Sequence, residues 1–118
     1  MAALIAGTGA GGGIQGLAPG VDILPIRAYP GADEVDFGFE RRFAEAVQYA
    51  ADAGAQIISV SLATLYIAGS QEEVTEALEE AARQDILIFA GTGNDGATTN
   101  EVTFPNNQDG VVGVGAVD

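Results

Sequence analysis

"ILIFAGTGNDG", residues 86–96, joins an uncharged apolar run to a glycine-rich turn. The run is short and rich in branched aliphatics, as buried strands are. If 86–91 is a strand, the turn Gly91-Thr92-Gly93-Asn94 sits at its C-terminal end. Open parallel sheets place their sites at that end. The fold therefore depends on what lies to either side.

Upstream, "SQEEVTEALEEAARQD" (70–85) reads as a helix. Ser70 and Glu73 form a capping box, and Val74, Leu78 and Ala81 supply an apolar stripe. Glu72, Glu76, Glu79 and Glu80 spread over the remaining surface and read as a solvated face rather than catalytic carboxylates. Before it, "AQIISVSL" (55–62) is a β-branched, uncharged run that suits a strand covered on both faces. Residues 31–54 open another helix, with Asp36 as N-cap and with Phe39, Phe43, Val47 and Ala50 at helical spacing. Gly54 stands where that helix needs a left-handed residue to end. "VDILPIRAY" (21–29) and "VVGVGAV" (111–117) read as further strands. Strands alternating with helices predict an α/β fold, a mostly parallel sheet flanked by helices in three layers, joined by right-handed crossovers. No repeat, linker or boundary divides residues 1–118, so the chain is one domain or part of one.

A second glycine tract, "ALIAGTGAGGG" (3–13), carries Gly7, Gly9 and Gly12 in the spacing G-x-G-x-x-G. A dinucleotide site needs the third glycine to lead into a helix whose N–H groups hold the pyrophosphate. Here Gly12 is followed by Gly13, Gly16, Pro19 and Gly20, which leave no room for a helix before Val21. The preceding "MAALIA" is alanine-rich and better suited to a helix than a strand. The tract reads as a loop leaving a helix end, and no nucleotide cofactor is expected.

Composition narrows the chemistry further. The 118 residues include no cysteine and no histidine. That removes disulfides, thiolate nucleophiles, the usual zinc ligands and the usual general base, so no metal or other cofactor is expected. Seventeen acidic residues against four arginines give a net charge of −13, which repels nucleic acid and anionic lipid. Residues 53–71 lack formal charge, but Gln56, Ser59, Ser61, Thr64, Gly69 and Ser70 interrupt them, so they are no membrane span. The N-terminus has no basic segment of the kind that opens a signal peptide.

Asn94 is the residue with chemical potential. Its neutral amide, between glycines at a strand end, suits an oxyanion that develops only in a transition state. Asn-Asp-Gly is also strong turn chemistry, so the pattern alone leaves a turn asparagine open.

Five segments in order resemble the subtilisin-like serine proteases: "MAALIAG", "GGIQGLAPGVDILPIR", "YAADAGAQIISVSL", "FAGTGNDG" and "FPNNQDGVVGVGAVD". The ordered set spans essentially the whole chain. The resemblance implies that Asn94 is the oxyanion-hole asparagine. It further implies that Ser61, Leu62 and Ala63 form the edge on which an extended peptide pairs as an added strand. Gly91, Thr92 and Gly93 match the opposite wall of the pocket for the residue before the scissile bond. Ala63 stands where the family commonly has glycine, and Thr92 where alanine is commoner.

The family's aspartate and "HGT" histidine align upstream of Met1, and its "GTS" serine beyond Asp118. Ser59, Ser61 and Ser70 do not match that nucleophile, and the asparagines where the family often binds calcium are absent after Gly7. The expectation is the central segment of a subtilisin-like endopeptidase domain, which hydrolyses peptide bonds through an acyl-enzyme when complete and is inactive as this chain. The alternative is a non-catalytic peptide-binding or self-assembling module on the same scaffold, pairing through sheet edges. Complete members of the family are typically secreted; nothing in this sequence assigns a location.

Overall fold

The computed structural model describes residues 1–29, 38–65 and 72–116. Helix α1 is Ala2–Ala6, and a 3-10 turn follows at Ala10–Gly12. Then come α2 (Phe39–Asp52), β1 (Ile57–Val60), β2 (Thr64–Leu65), α3 (Glu72–Arg83), β3 (Leu87–Gly91), β4 (Thr103–Phe104) and β5 (Val111–Val114). Strands β1, β3 and β5 form a parallel sheet in that spatial order, with Ile57 opposite Leu87 and Ile88 opposite Val111. Strands β2 and β4 form a separate antiparallel ribbon, with Thr64 opposite Phe104 and Leu65 opposite Thr103.

The two long helices form because their apolar residues recur at helical spacing. In α2 this buries Phe39, Phe43, Ala44, Val47, Ala50 and Ala51, and in α3 Val74, Ala77, Leu78 and Ala81. Both helices end by the same device. Ala55 N–H bonds to Ala50 O and Gly54 N–H to Ala51 O, around Gly54 at φ +79°. After α3, Ile86 N–H bonds to Ala81 O and Asp85 N–H to Ala82 O, around Asp85 at φ +56°. These paired bonds satisfy the last carbonyls and turn the chain directly into β1 and β3. The caps expected at Asp36 and Ser70 lie outside the described residues.

Helices α2 and α3 lie side by side over one face of the sheet. Ile58, Val60, Ile88 and Val111 project from that face toward them. Phe39, Phe43 and Phe104 complete the core; Phe104 stands edge-on to Phe39 and to Phe43, with ring centroids 5.8 and 5.1 Å apart.

One expectation fails. Residues 21–29 join neither sheet; Val21, Ile23, Leu24 and Ile26 are 39–47% exposed. Apolar sequence supplies strand propensity, but a strand also needs a ladder with a neighbour, and this segment forms none among the described residues. Its end is held instead by side chains: Arg42 Nε donates to Ala28 O at 3.2 Å, and Tyr29 packs edge-on against Phe39. On the second face of the sheet the described residues are less covered than on the first. Ile57, Leu87, Val112 and Val114 alternate onto the second face and are 47–62% exposed among the described residues.

The first glycine tract leaves α1 as a closed loop. Thr8 and Gln15 pair across it, and Gly9, Gly11 and Gly12 take left-handed φ of 64–80°. Gly16 is buried against the carbonyl of Ile5, where a side chain has no room. No helix follows, so no N-terminus faces the tract.

Candidate active site

The last pair in the β1–β3 ladder is Val60 with Ala90; β1 ends there and β3 one residue later, at Gly91. Parallel pairing brings the two exits out at one level, so Ser61-Leu62-Ala63 leaves the sheet beside Gly91-Thr92-Gly93. The two segments meet at their ends. A methyl group built on Gly93 would lie 3.8 Å from Ala63 Cβ and 3.4 Å from Thr103 Cγ2. Gly93 takes φ +92°, a conformation that L side chains rarely adopt. On the other side, Thr92 N–H donates to Val114 O at 3.1 Å and keeps the wall in line with β5. Ser61, Ala63, Thr92 and Gly93 are exposed; Leu62 and Gly91 are half-buried.

Asn94 follows directly and is exposed. Its side-chain amide makes no hydrogen bond among the described residues. The turn after it closes on a different group. Thr98 N–H, Asn100 N–H and the Thr98 hydroxyl all donate to Asp95 O, at 2.9, 3.0 and 3.1 Å. Closing the turn therefore leaves the Asn94 donors unspent. A neutral amide in that condition can donate to an oxygen that gains charge during a reaction, without having to break an existing bond first.

Sequence reading missed the residue that ties this region together. Thr103 is only 7% exposed, and its hydroxyl lies 3.0 Å from Thr92 O and 2.6 Å from the Asn106 side-chain amide. A hydroxyl has one proton. It donates to Asn106 Oδ1, the shorter contact, with Thr92 O as the second acceptor within reach of the same hydroxyl. Through β4, Thr103 is also hydrogen-bonded into the ribbon that holds residues 64–65, immediately after the 61–63 edge. No local pattern marks a lone threonine; only pairing of β2 with β4 brings it here.

Among the described residues, no group of three or more His, Cys, Asp or Glu side chains could hold a metal ion. No helix there is long and apolar enough to cross a membrane.

Comparison with known proteins agrees with this architecture. Over 107 residues the chain is 36% identical to the thermophilic serine proteinase of Bacillus sp. strain AK1, covering 90% of this chain and 24% of that protein. It is 29% identical over 120 residues to the major intracellular serine protease of Bacillus subtilis strain 168, covering 99% of this chain and 36% of that one. The fold superposes on the prenylagaramide maturation protease PagA with a TM-score of 0.79, at 28% identity over 99% of this chain and 41% of that one. The MycP3 protease from the type VII (ESX-3) secretion system gives a TM-score of 0.80, at 28% identity over 98% and 41%. The chain thus spans about a quarter to two fifths of the proteins it matches. The family model of the subtilases matches residues 1–118 without a break, and the chain belongs to the subtilase family.

Proposed function

We propose that this chain forms the central part of a subtilisin-like peptidase domain and contributes to hydrolysis of peptide bonds. Ser61, Leu62 and Ala63 hold an extended peptide as an added strand. Gly91, Thr92 and Gly93 form the facing wall, and the Asn94 amide donates to the oxyanion of the tetrahedral intermediate. The observation that carries this reading is the exposed, unbonded Asn94 amide, one residue beyond the point where Gly93 approaches Ala63.

These residues bind, orient and stabilise charge, but none moves a proton at neutral pH. The sequence has no histidine to serve as general base, and none of its serines matches the family's nucleophile. The chain by itself therefore hydrolyses nothing. Fluorophosphonate labelling of the purified chain tests that statement, and a labelled serine overturns it. Titration of the isotopically labelled chain with an extended peptide tests the binding half. Shifts confined to residues 61–63 and 91–94 are the expected result, and an unchanged spectrum rejects it.

A second reading, a module that binds peptides or copies of itself without catalysis, draws on a different observation. Among the described residues, strand β1 pairs on one side only, and the second sheet face exposes Ile57, Leu87, Val112 and Val114. Open edges and apolar faces invite pairing between chains. Sedimentation over a range of concentrations separates the readings: a defined dimer favours the module, and a monomer removes its support.

A further inference from the structure

We infer that Thr103, seated by Asn106, is a positioning residue for Asn94: its hydroxyl holds the Thr92 carbonyl and so sets the direction in which Asn94 leaves the turn. This deepens the proposed function and rests on it, because that direction matters to a reaction only if Asn94 serves the oxyanion.

The turn needs such a hold. Gly93 takes φ +92°, which glycine permits because it lacks a side chain. The same freedom leaves the peptide planes on either side of it easy to rotate. Neither Gly93 nor Asn94 makes a hydrogen bond among the described residues, so the two form a bridge between fixed points. Beyond the bridge, Asp95 O accepts from Thr98 N–H, Asn100 N–H and the Thr98 hydroxyl. Before it, Thr92 is tied at both of its backbone groups. Its N–H donates to Val114 O at 3.1 Å, and its O lies 3.0 Å from Thr103 Oγ1. The first tie joins Thr92 to β5 but leaves the plane linking it to Gly93 free to turn. The second acts on that plane directly, because the Thr92 C=O and the Gly93 N–H both lie in it.

Thr103 is itself held firmly. Successive strand residues face opposite ways, so Phe104 enters the core while Thr103 turns toward residue 92. The backbone of Thr103 is paired with Leu65, and its hydroxyl reaches Asn106 Oδ1 at 2.6 Å as well as Thr92 O. Two acceptors for one proton keep the side chain in a single rotamer. The χ1 and χ2 torsions of Asn94 stay free, but the Cα–Cβ bond from which its amide extends is given a set direction. An amide carried in that way meets a developing charge with little reorganisation.

The test measures backbone order parameters by relaxation of the isotopically labelled full chain. In the native chain Gly93 and Asn94 are expected near about 0.85, the value of rigid backbone. Thr103→Val keeps the shape and loses the hydroxyl; it is expected to bring both residues below about 0.6 while β3 and β5 keep their order. Thr103→Ser retains the hydroxyl and is expected to restore them. Asn106→Ala leaves Thr103 in place without its seat and is expected to lower them part of the way; it decides the matter if Thr103→Val does not fold. Low order in the native chain overturns the inference, as does unchanged order in Thr103→Val or, failing that variant, in Asn106→Ala. Equal loss in Thr103→Ser and Thr103→Val overturns the role of the hydroxyl. The proposed function fails separately: unchanged turnover of a complete peptidase after Asn94→Ala rejects it, whatever the order of the turn.

Discussion

The Phe104 ring meets the Phe43 ring edge-on, with centroids 5.1 Å apart and planes 80° to one another. This contact joins the two-stranded ribbon to helix α2, and Phe104 has no exposed surface. The residue before it is Thr103, so the packing of one aromatic ring fixes the position of the hydroxyl that reaches Thr92 O and Asn106. Phe104→Ala is expected to cost about 3–5 kcal/mol, the range for deleting a buried aromatic ring. Urea unfolding measures the loss. Phe104→Leu keeps more of the buried volume and is expected to cost less, with faster amide exchange at residues 64–65 as the local sign of a loosened ribbon.

Glu80 shows how charge is managed on the exposed face of α3. Its carboxyl is held below its ordinary value of 4.5, first by the hydrogen bond from Gln84, then by the hydrogen bond and charge of Arg83. The Gln84 amide donates at 2.7 Å and the Arg83 guanidinium at 2.7 Å. A group whose folded pKa is depressed adds stability above its unfolded pKa and loses it as pH falls through the folded value. The difference in urea midpoint between the native chain and Glu80→Gln is therefore expected at neutral pH and absent once the carboxylate is protonated. The side chain is half-buried but its carboxyl is open to solvent, so the effect is small. A difference that grows on acidification contradicts the assignment.

The whole surface makes a larger electrostatic statement. A net charge of −13 on 118 residues sets like charges against one another in the folded state. The ion pairs seen here, Arg41 with Glu45 and Arg83 with Glu79 and Glu80, offset little of it. Raising salt from about 0.01 M to 1 M shortens the screening length from roughly 30 to 3 Å. The thermal midpoint is expected to rise across that range. A midpoint that falls shows that attractive pairs outweigh the repulsion.

What could be read from the sequence follows the range of the forces involved. Helices α2 and α3 were legible because a stripe of Phe39, Phe43, Val47 and Ala50, or of Val74, Leu78 and Ala81, is local information. Strands β1, β3 and β5 were legible because each is a short apolar run, and alternation with the helices pointed to parallel pairing, though their spatial order was not read. Val21–Ile26 misled because propensity is local but a ladder is not: the segment has strand-forming residues and no neighbour among the described ones. The β2–β4 ribbon was invisible for the opposite reason. Two residues per strand carry no periodicity, and Thr64 finds Phe104 only after the core has formed. The candidate site divides in the same way. The Asn94 turn was legible as a glycine-rich strand end, but its role and the 61–63 edge came only through the family resemblance, whereas Thr103 and Asn106 reach the region through that long-range ribbon.

Asn94 is expected to separate stability from chemistry. It is exposed, its side chain makes no hydrogen bond among the described residues, and the turn beside it closes on Asp95 O. Asn94→Ala should therefore shift the unfolding midpoint by an amount within about 0.5 kcal/mol, as surface substitutions do. In a complete peptidase carrying this segment, the proposed role of Asn94 makes the same change remove a donor that acts mainly on the transition state. Turnover is then expected to fall with KM nearly unchanged. In subtilisin itself, loss of the matching asparagine lowers turnover by roughly a hundred- to a thousandfold, a figure that belongs to that enzyme. A loss of stability above about 1 kcal/mol marks Asn94 as a structural turn residue instead. Unchanged turnover in the complete enzyme removes it from the oxyanion site. A fall in turnover at constant stability satisfies the proposal, because only a group left unspent in the resting fold can be lost so cheaply and matter so much during reaction.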